Sequence, residues 1–376
     1  MKNEWMEVRA MIPKAFLAAL LFAGLMLASG TARVRAANRP PLPAVASAKA
    51  GAAPVAGYHL VRTIKIGGTT FWDYMGIDVA RRHLFVSHGT HVVVLDADTG
   101  KIIGNIPDTM GVHGIAIAPE LDRGFISDGA ANQITIFSLS TLKTIGTVKV
   151  TGRGPDCIVY DPASQRVFTF NGGSDSSTAI NAKTGKVVGT IDLGGRPEYA
   201  VADGRGHVYN NLVDKSEEIE INSHTLKITN RWSLAPCQHP SGLAMDTTNR
   251  WLIVGCHNDM MAIVNPDTTK VAKTVPIGPG VDACRFDPGL EYAFCSTGGD
   301  GGEFTVVHED PAGTFTLLGH VPTEPGARTM EVDLKTHDVF TDTANFGPRP
   351  AKATPHNPYR MGKMVPGSFR VLEYAR

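Results

Sequence analysis

Residues 183–211, KTGKVVGTIDLGGRPEYAVADGRGHVYNN, contain the pattern that decides the fold of this chain. A polar turn at 183–186 leads into an alternating apolar run, and a Gly-Gly-Arg-Pro turn then precedes two more short runs of β-forming residues. The turn sequence NAKTGK at 181–186 returns elsewhere as DADTGK, SLSTLK, NSHTLK and NPDTTK. The stretch is therefore one copy of a repeat, whose period has to be established before any other feature is interpreted.

The repeat has a period of about 43 residues. Each copy contains four β-signals of five to eight residues, separated by Gly, Pro, Asp and Asn clusters. The pair that ends the third β-signal recurs at spacings of 42, 43, 41, 43, 43 and 65 residues, so the last spacing contains an insertion of 22. Four short strands at this period are typical of a β-propeller blade. The seven pairs are Leu95-Asp96, Phe137-Ser138, Ile180-Asn181, Ile221-Asn222, Val264-Asn265, Val307-His308 and Leu372-Glu373.

The two ends of the chain supply parts of one blade. The seventh unit ends after SFRVLEYA and lacks an outermost strand, whereas residues 59–66, HLVRTIKI, have the pattern of KVVGTIDL in the quoted copy. We therefore predict an all-β, seven-bladed β-propeller of four-stranded antiparallel blades, closed by the N-terminal strand pairing into the last blade. This closure removes a free sheet edge. Two separate β-sandwiches would explain neither the constant period nor the uniform composition.

The sequence before the repeats predicts export. Residues 1–36 combine Lys14, an apolar run and small residues at 34 and 36, as in a secretory signal peptide. Residues 37–56 are Ala/Pro-rich and predict a linker. We expect residues 57–376 to form a single propeller domain with an insertion, or lid, at 346–368. The expected location is periplasmic or secreted, with no membrane span once the signal peptide is cleaved.

Charge and cysteine usage limit the partners and cofactors. Without residues 1–36 the chain has 31 Lys and Arg against 34 Asp and Glu, which argues against a nucleic-acid surface. The absence of a C-x-x-C-H motif excludes covalently attached haem. Five cysteines in an exported chain leave at least one thiol free. The candidate disulfides are Cys284 with Cys295, across a predicted hairpin, and Cys237 with Cys256; buried free thiols are the alternative.

Several motifs resemble the YVTN-repeat, YncE-like propellers. They are Gly154-Pro155 followed by Asp161-Pro162, the FVSH sequence at 85–88, and NAKTGK at 181–186. Gly-His and Trp-Asp dipeptides do not recur at the repeat period, so WD repeats match less well. The resemblance covers roughly residues 58–376 and implies a propeller fold, export and diverse partners, nucleic acid among them. We expect a monomer.

The direction of the chain in a propeller gathers particular residues at one mouth of the central channel. The loops that enter the innermost strands open on the same face as the loops between the second and third strands. In register, the mouth positions are Met75, His113, Asp156, Glu198, Ser241, Asp282 and Arg328, with Asp73 two residues before Met75 and His239 two before Ser241. The candidate ligand-binding residues are Asp73, His113, Asp156, Glu198, His239, Asp282 and Arg328.

The carboxylates at this mouth are candidate metal ligands. Asp156, Glu198 and Asp282 offer the oxygen donors that a divalent cation such as calcium takes. Such residues also line channels that hold only water, so both interpretations stay open at this stage.

The insertion carries basic residues and no acidic ones. Arg349, Lys352, Arg360 and Lys363 indicate either a basic lid that covers a small anionic ligand or a Pro-rich flap packed on acidic neighbours.

Two function classes follow. The first is a non-catalytic exported propeller that binds a protein, glycan or other ligand through its loop face and channel mouth. The alternative is a metal-dependent, lactonase-type hydrolase or lyase with an acidic cation site. G-x-S-x-G and H-E-x-x-H motifs are absent, which removes two common hydrolase types.

Overall fold

The computed structural model describes residues 55–299, 301–352, 354 and 361–376, and these form a seven-bladed β-propeller. Three short 3₁₀ turns accompany the strands, at Val55–Gly57, Pro119–Leu121 and Gly129–Ala131. The strands are β1 (His59–Lys65), β2 (Met75–Asp78), β3 (His83–His88), β4 (His91–Asp96), β5 (Ile102–Ile106), β6 (Val112–Ala118), β7 (Arg123–Asp128), β8 (Gln133–Ser138), β9 (Thr144–Lys149), β10 (Pro155–Asp161), β11 (Arg166–Asn171), β12 (Ser176–Asn181), β13 (Val187–Asp192), β14 (Pro197–Ala202), β15 (His207–Leu212), β16 (Glu217–Asn222), β17 (Lys227–Ser233), β18 (Pro240–Asp246), β19 (Trp251–Cys256), β20 (Met260–Asn265), β21 (Lys270–Pro276), β22 (Val281–Asp287), β23 (Tyr292–Thr297), β24 (Glu303–Asp310), β25 (Thr314–Pro322), β26 (Met330–Val332), β27 (Val339–Thr343) and β28 (Arg370–Ala375).

The strands form seven antiparallel sheets of four, as predicted. Six sheets are consecutive, from β2–β5 to β22–β25, and the seventh has the order β1-β28-β27-β26. The first strands of neighbouring sheets contact each other all the way round, including β26 with β2, so the ring is closed. Strand β1 pairs antiparallel with β28, with Ile64 opposite Val371. The N-terminal strand therefore completes the last blade.

Recurrent side-chain-capped turns explain why the repeat is visible in the sequence. At the end of β4, Asp96 Oδ1 accepts hydrogen bonds from the Thr99 backbone N–H (2.7 Å) and hydroxyl (2.6 Å). Asn181 does the same for the Thr184 N–H at 2.8 Å, and the left-handed φ of +69° at Gly185 suits glycine. Each polar–x–x–Thr motif is thus a turn that ends a third strand and leads towards the fourth.

The apolar core lies mainly between the sheets, and the outermost strands are largely exposed. One cluster, for example, joins the last sheet to the first and includes Ile64, Trp72, Leu84 and Phe369. In contrast, Leu60 and Val61, in the same outermost strand as Ile64, are each 47% exposed. Packing of sheet against sheet around a ring is therefore what holds the blades together.

The strand register corrects one detail of the repeat. Ser87 of β3 lies opposite Val92, and the equivalent Asp342 of β27 lies opposite Val371. The counterpart of Leu95-Asp96 in the seventh unit is consequently Tyr374-Ala375, two residues after the predicted Leu372-Glu373. The insertion is longer by the same two residues.

Glu218 is an exception to the apolar pattern between the sheets. The second residue of each third strand is buried, and Glu218 is fully buried with neither carboxyl oxygen hydrogen-bonded to any described residue. Burial raises its pKa well above the usual value of a glutamate. The equivalent residues in the other six blades are Val92, Ile134, Ser177, Met261, Phe304 and Val371.

Replacing Glu218 with methionine, the residue of the next blade, is expected to raise the free energy of unfolding by about 2 kcal/mol at pH 7. Since the folded chain holds the Glu218 proton to a higher pH than the unfolded chain, wild-type stability falls as pH rises above the unfolded pKa. The gain should therefore be larger at pH 7 than at pH 4. Urea unfolding at both pH values measures it, and Glu218→Gln is the matched control that removes only the titration. A loss of stability in Glu218→Met at pH 7 would contradict this account.

Two sequence predictions fall on residues outside the described ones. These are the signal peptide, 1–36, and residues 37–54 of the linker, 37–56; the last two linker residues begin the 3₁₀ turn Val55–Gly57, which lies next to β25. Within the described ranges, no helix has the length and apolar character needed to cross a bilayer.

Candidate functional site

Seven equivalent positions surround one mouth of the channel, and all seven are polar. In each blade, regular pairing of the first strand with the second begins at one residue, and the mouth position lies two residues before it. Asp73 thus lies two residues before Met75, and Asp282 lies two residues before Cys284. This corrects the sequence-based register, because Asp73, and not the buried Met75, is the counterpart of His113. We call these residues the mouth ring: Asp73, His113, Asp156, Glu198, Ser241, Asp282 and Arg328.

Buried polar residues of the second strands hold the backbone of the mouth ring. The Ser127 hydroxyl donates to the carbonyl of Asp156 in the next blade, and the Ser296 hydroxyl donates likewise to the carbonyl of Arg328. Asn211 Nδ2 donates to Ser241 O at 2.7 Å. Sequence reasoning missed these residues. The signal was available, since each is the penultimate residue of its second strand.

One half of the mouth ring is built around His113. Its Nδ1 lies 2.6 Å from Asp73 Oδ2 and 3.6 Å from Asp156 Oδ1. The exposed ring of Phe71 contacts the imidazole edge-on, with centroids 5.4 Å apart. Burial lowers the pKa of His113, but the hydrogen bond to Asp73 and the charge of Asp156 outweigh it and raise the pKa to about 9. His113 is therefore a cation at neutral pH.

The other half contains Arg328, Asp282 and Ser241. Arg328 Nε donates to Asp282 Oδ2 at 2.6 Å, and Ser241 Oγ lies 3.3 Å from Asp282 Oδ1. Between the halves, Glu198 Oε2 has Arg196 Nη2 at 3.8 Å, and that arginine side chain is 59% exposed. Asp282 is thus neutralised by Arg328 at short range, whereas Glu198 has only a distant ion-pair partner, the exposed Arg196.

The mouth ring is short of positive charge. It holds four carboxylates against His113 and Arg328. The pKa of Asp156 is raised to about 6 by burial, with Asp73 and Asp282 adding to the shift and His113 opposing it. Burial and the charge of Asp156 raise the pKa of Glu198 well above its usual value. At neutral pH the site therefore retains protons that an entering cation can displace.

One group of the mouth ring has the geometry of a metal site. One ligand atom each from Asp73, His113 and Asp156 lies within 4.8 Å of the others. A nitrogen and two carboxylate oxygens suit zinc or another N/O-binding divalent ion, whereas calcium takes oxygen donors. The predicted calcium ligands Asp156, Glu198 and Asp282 are not such a group in the described part of the chain. The structure thus groups Asp156 with a different pair of residues.

The remaining candidate residues lie away from the mouth ring. His239 is exposed in the loop before β18, where its Nδ1 is 3.1 Å from Val213 O. In the lid, Arg349, Lys352 and Lys363 are exposed, while Arg360 lies outside the described residues. The structure bonds Cys237 to Cys256 and Cys284 to Cys295, and Cys157 is a buried free thiol.

The side of the lid that approaches the mouth is apolar. Phe346 and Met364 form an antiparallel bridge, and Gly347 N donates to Lys363 O at 2.7 Å, so the two legs of the lid are paired. Between these legs and the mouth is a cavity of about 450 Å³, which we call the lid pocket. Its lining residues are Thr69, Phe71, Trp72, Gly326, Arg328, Phe346, Met361, Gly362 and Met364.

A second cavity, of about 370 Å³, lies inside the channel and is lined by residues of all seven inner strands. Tyr74 and Tyr199, each next to a mouth-ring residue, line it with ring centroids 4.5 Å apart. Arg285 lies 5.9 Å from the Tyr199 centroid and forms an ion pair with Glu331 at 3.0 Å. The charged lining residues of this cavity, Arg285 and Glu331, are paired with each other, so the mouth ring is the better candidate site.

Comparisons with solved structures identify relatives of the fold. The chain is similar to the WD40 repeats of RRP9 (TM-score 0.69, 8% identity, 86% of this chain and 99% of that chain). It is also similar to U3-55K (0.68, 8%, 85% and 99%) and to the Kuenenia stuttgartiensis hydrazine synthase (0.63, 14%, 75% and 94%). No protein-family model and no curated protein matches the sequence. At these identities the likeness shows the fold alone: a seven-bladed β-propeller with WD40-repeat proteins among its structural neighbours.

Proposed function

We propose that this chain is an exported binding protein of the YVTN-like kind, which holds a positively charged group of its ligand in the mouth ring. The observation that carries the proposal is the composition of that ring, four carboxylates against one arginine and one histidine. The secretory pattern at residues 1–36 and the two disulfides support export. WD40-like neighbours support a role in binding, because propellers commonly present their loop face to partners.

The arrangement favours a cation over the anionic ligand that the basic lid suggested. The described lid cations, Arg349, Lys352 and Lys363, are exposed and do not line the cavity between the lid and the mouth. The side of the lid that faces the mouth is apolar instead. The charge balance of the mouth ring is therefore what favours a cation, since its four carboxyl groups outnumber its two cationic side chains, His113 and Arg328.

Methylammonium is expected to stabilise the folded protein by binding at the mouth ring. The melting temperature should rise in methylammonium chloride relative to sodium acetate at equal ionic strength, in proportion to binding. Asp156→Asn should weaken methylammonium binding about tenfold. Since the pKa of Asp156 is about 6, its charge is present above that pH, and the stabilisation should be larger at pH 7.5 than at pH 5.

Asp192→Asn is the matched control for this experiment. Asp192 is an exposed carboxylate at the end of outer strand β13, and its Oδ1 accepts a hydrogen bond that asparagine can also accept. The control should behave as the wild type. Equal stabilisation of wild type and Asp156→Asn, or greater stabilisation by acetate, would refute the proposed site.

A metal-assisted hydrolase or lyase is the second candidate, favoured by the Asp73–His113–Asp156 group. A divalent ion bound there would lower the pKa of a coordinated water. Stabilisation by zinc or manganese but not by methylammonium, lost in His113→Ala, would favour this candidate. It also requires chelator-sensitive hydrolysis of a lactone probe.

A further inference from the structure

We propose that the mouth ring and the lid pocket form one composite site, which takes a small organic cation carrying an aromatic or branched aliphatic body. This inference rests on the proposed function and adds the class of ligand. The mouth ring would hold the ammonium or guanidinium group, and the lid pocket would hold the apolar part.

Two residues connect the halves of the composite site. Arg328 lines the lid pocket and also binds Asp282 in the mouth ring at 2.6 Å. Phe71 lines the pocket and contacts the His113 ring, which binds Asp73. Arg328 and Phe71 therefore connect the lid pocket directly to the mouth ring.

The lid pocket has the size and walls of a small-molecule site. Its volume of about 450 Å³ falls in the usual range for ligand cavities. Phe71 on the mouth side is 46% exposed, so its ring is accessible to a ligand in the pocket. Phe346 and Met364 face it from the paired lid legs, and Trp72 packs behind Phe346 with centroids 6.1 Å apart.

The pocket wall is fixed before any ligand binds. Val365 N donates to Asn345 O at 2.8 Å, and Gly367 N donates to Gly68 O at 2.6 Å, which ties one lid leg to the segment after β1. The close approach of Phe346 depends on Gly326, where an added Cβ would lie 2.7 Å from the Phe346 ring. A preformed wall reduces the ordering cost of binding.

The sign of the ligand charge follows from the groups that border the pocket. Among the described residues that line the pocket, Arg328 is the only charged one, and it is already paired with Asp282. Beyond Arg328 lie the carboxylates of the mouth ring, Asp282 among them, and they outnumber its cationic side chains by four to two. An anionic head group would meet these carboxylates, whereas an ammonium complements them and gains from an aromatic face such as that of Phe71.

Calorimetric titration of the whole protein with three probes tests the proposal: 2-phenylethylammonium, methylammonium and 3-phenylpropanoate. We expect 2-phenylethylammonium to bind at least about tenfold more tightly than methylammonium, because its phenyl ring is transferred from water into the lid pocket. The 3-phenylpropanoate anion should bind far more weakly than the 2-phenylethylammonium cation. Phe71→Ala should reduce the preference for 2-phenylethylammonium to about threefold or less, because it weakens the binding of 2-phenylethylammonium more than that of methylammonium.

Two further variants, Phe71→Leu and Phe346→Ala, ensure that the test does not depend on Phe71→Ala alone. Phe71→Leu keeps apolar volume without the aromatic face and should give an intermediate preference for 2-phenylethylammonium over methylammonium. Phe346→Ala, which alters the opposite wall of the pocket, should also lower that preference. Met110→Ala is the control, since Met110 is 47% exposed in the loop before β6 but does not line the pocket.

The outcomes separate this inference from the proposed function. Equal binding of both ammonium probes, or an unchanged preference in Phe71→Ala and Phe346→Ala, would overturn the composite site while leaving the mouth ring intact. Binding of 3-phenylpropanoate as tight as that of 2-phenylethylammonium would overturn the charge argument. Methylammonium binding that is unchanged in Asp156→Asn would instead refute the proposed function itself.

Discussion

Replacing Ile64 with aspartate is expected to lower the free energy of unfolding by roughly 4 kcal/mol. Ile64 lies in the N-terminal strand that closes the ring, opposite Val371, and is 8% exposed. It belongs to the core cluster that joins the last sheet to the first, together with Trp72 and Leu84. Aspartate would remove these contacts and bury a carboxylate without a partner at the one place where the ring is held by strands from both ends of the chain.

Urea unfolding followed by tryptophan fluorescence measures this effect, with Leu60→Asp as the matched control. Leu60 lies in the same strand but is 47% exposed, so its replacement should change stability by less than about 0.5 kcal/mol. Ile64→Ala should cost about 3 kcal/mol, giving a graded series even where Ile64→Asp does not fold. Similar unfolding midpoints for Ile64→Asp and Leu60→Asp would show that the closing strand does not contribute to the core.

The fold was predictable because its local chemistry repeats. In the first five blades the third strand ends in a polar residue whose side chain caps a turn, as Asp96 and Asn181 do, and such turns need particular residues at fixed spacing. The closing strand was predictable for a related reason: a unit without its fourth strand exposes an edge, and HLVRTIKI has the matching pattern. The periodicity of the sequence therefore predicted both the number of blades and the strand topology.

The mouth ring was only partly predictable, because irregular strand pairing hides its register. In five blades the pairing shifts just inside the mouth, for instance between Val112 and Ile115 and between Val281 and Cys284. The mouth residue therefore stands two positions before the regular strand begins. In the first blade the apolar run starts at Met75, so the sequence pattern pointed there while Asp73 occupies the equivalent place.

The lid pocket could not be predicted, because the sequence of the insertion is dominated by its charges. Arg349, Lys352 and Lys363 suggested a basic cover, yet the side chains turned towards the mouth are Phe346 and Met364. Which residues face inwards depends on the pairing of the two legs, and that pairing joins residues almost twenty positions apart without a repeat to mark them. Charge counts alone suggested an anionic ligand, whereas we propose a cationic one.

Removing the Cys237–Cys256 disulfide is expected to lower the free energy of unfolding by about 3 kcal/mol, from the restriction it places on the unfolded chain. The two cysteines are 19 residues apart, and both are buried. Cys237 lies in the loop that leads to β18, and Cys256 ends β19, which pairs with β18. The bond therefore fixes a loop on the mouth face to the blade that supplies Ser241.

Thermal or urea unfolding of the Cys237→Ala/Cys256→Ala variant measures this cost. The buried thiol of Cys157 provides an internal standard, since thiol titration of the unfolded protein should find one free thiol without reductant and five with it. Wild-type protein treated with reductant should lose at least as much stability as the variant, whereas Cys157→Ala should keep its sensitivity to reductant. Five free thiols before reduction would show that neither disulfide forms. The strongest structural support for export would then be lost, because disulfides persist in oxidising compartments.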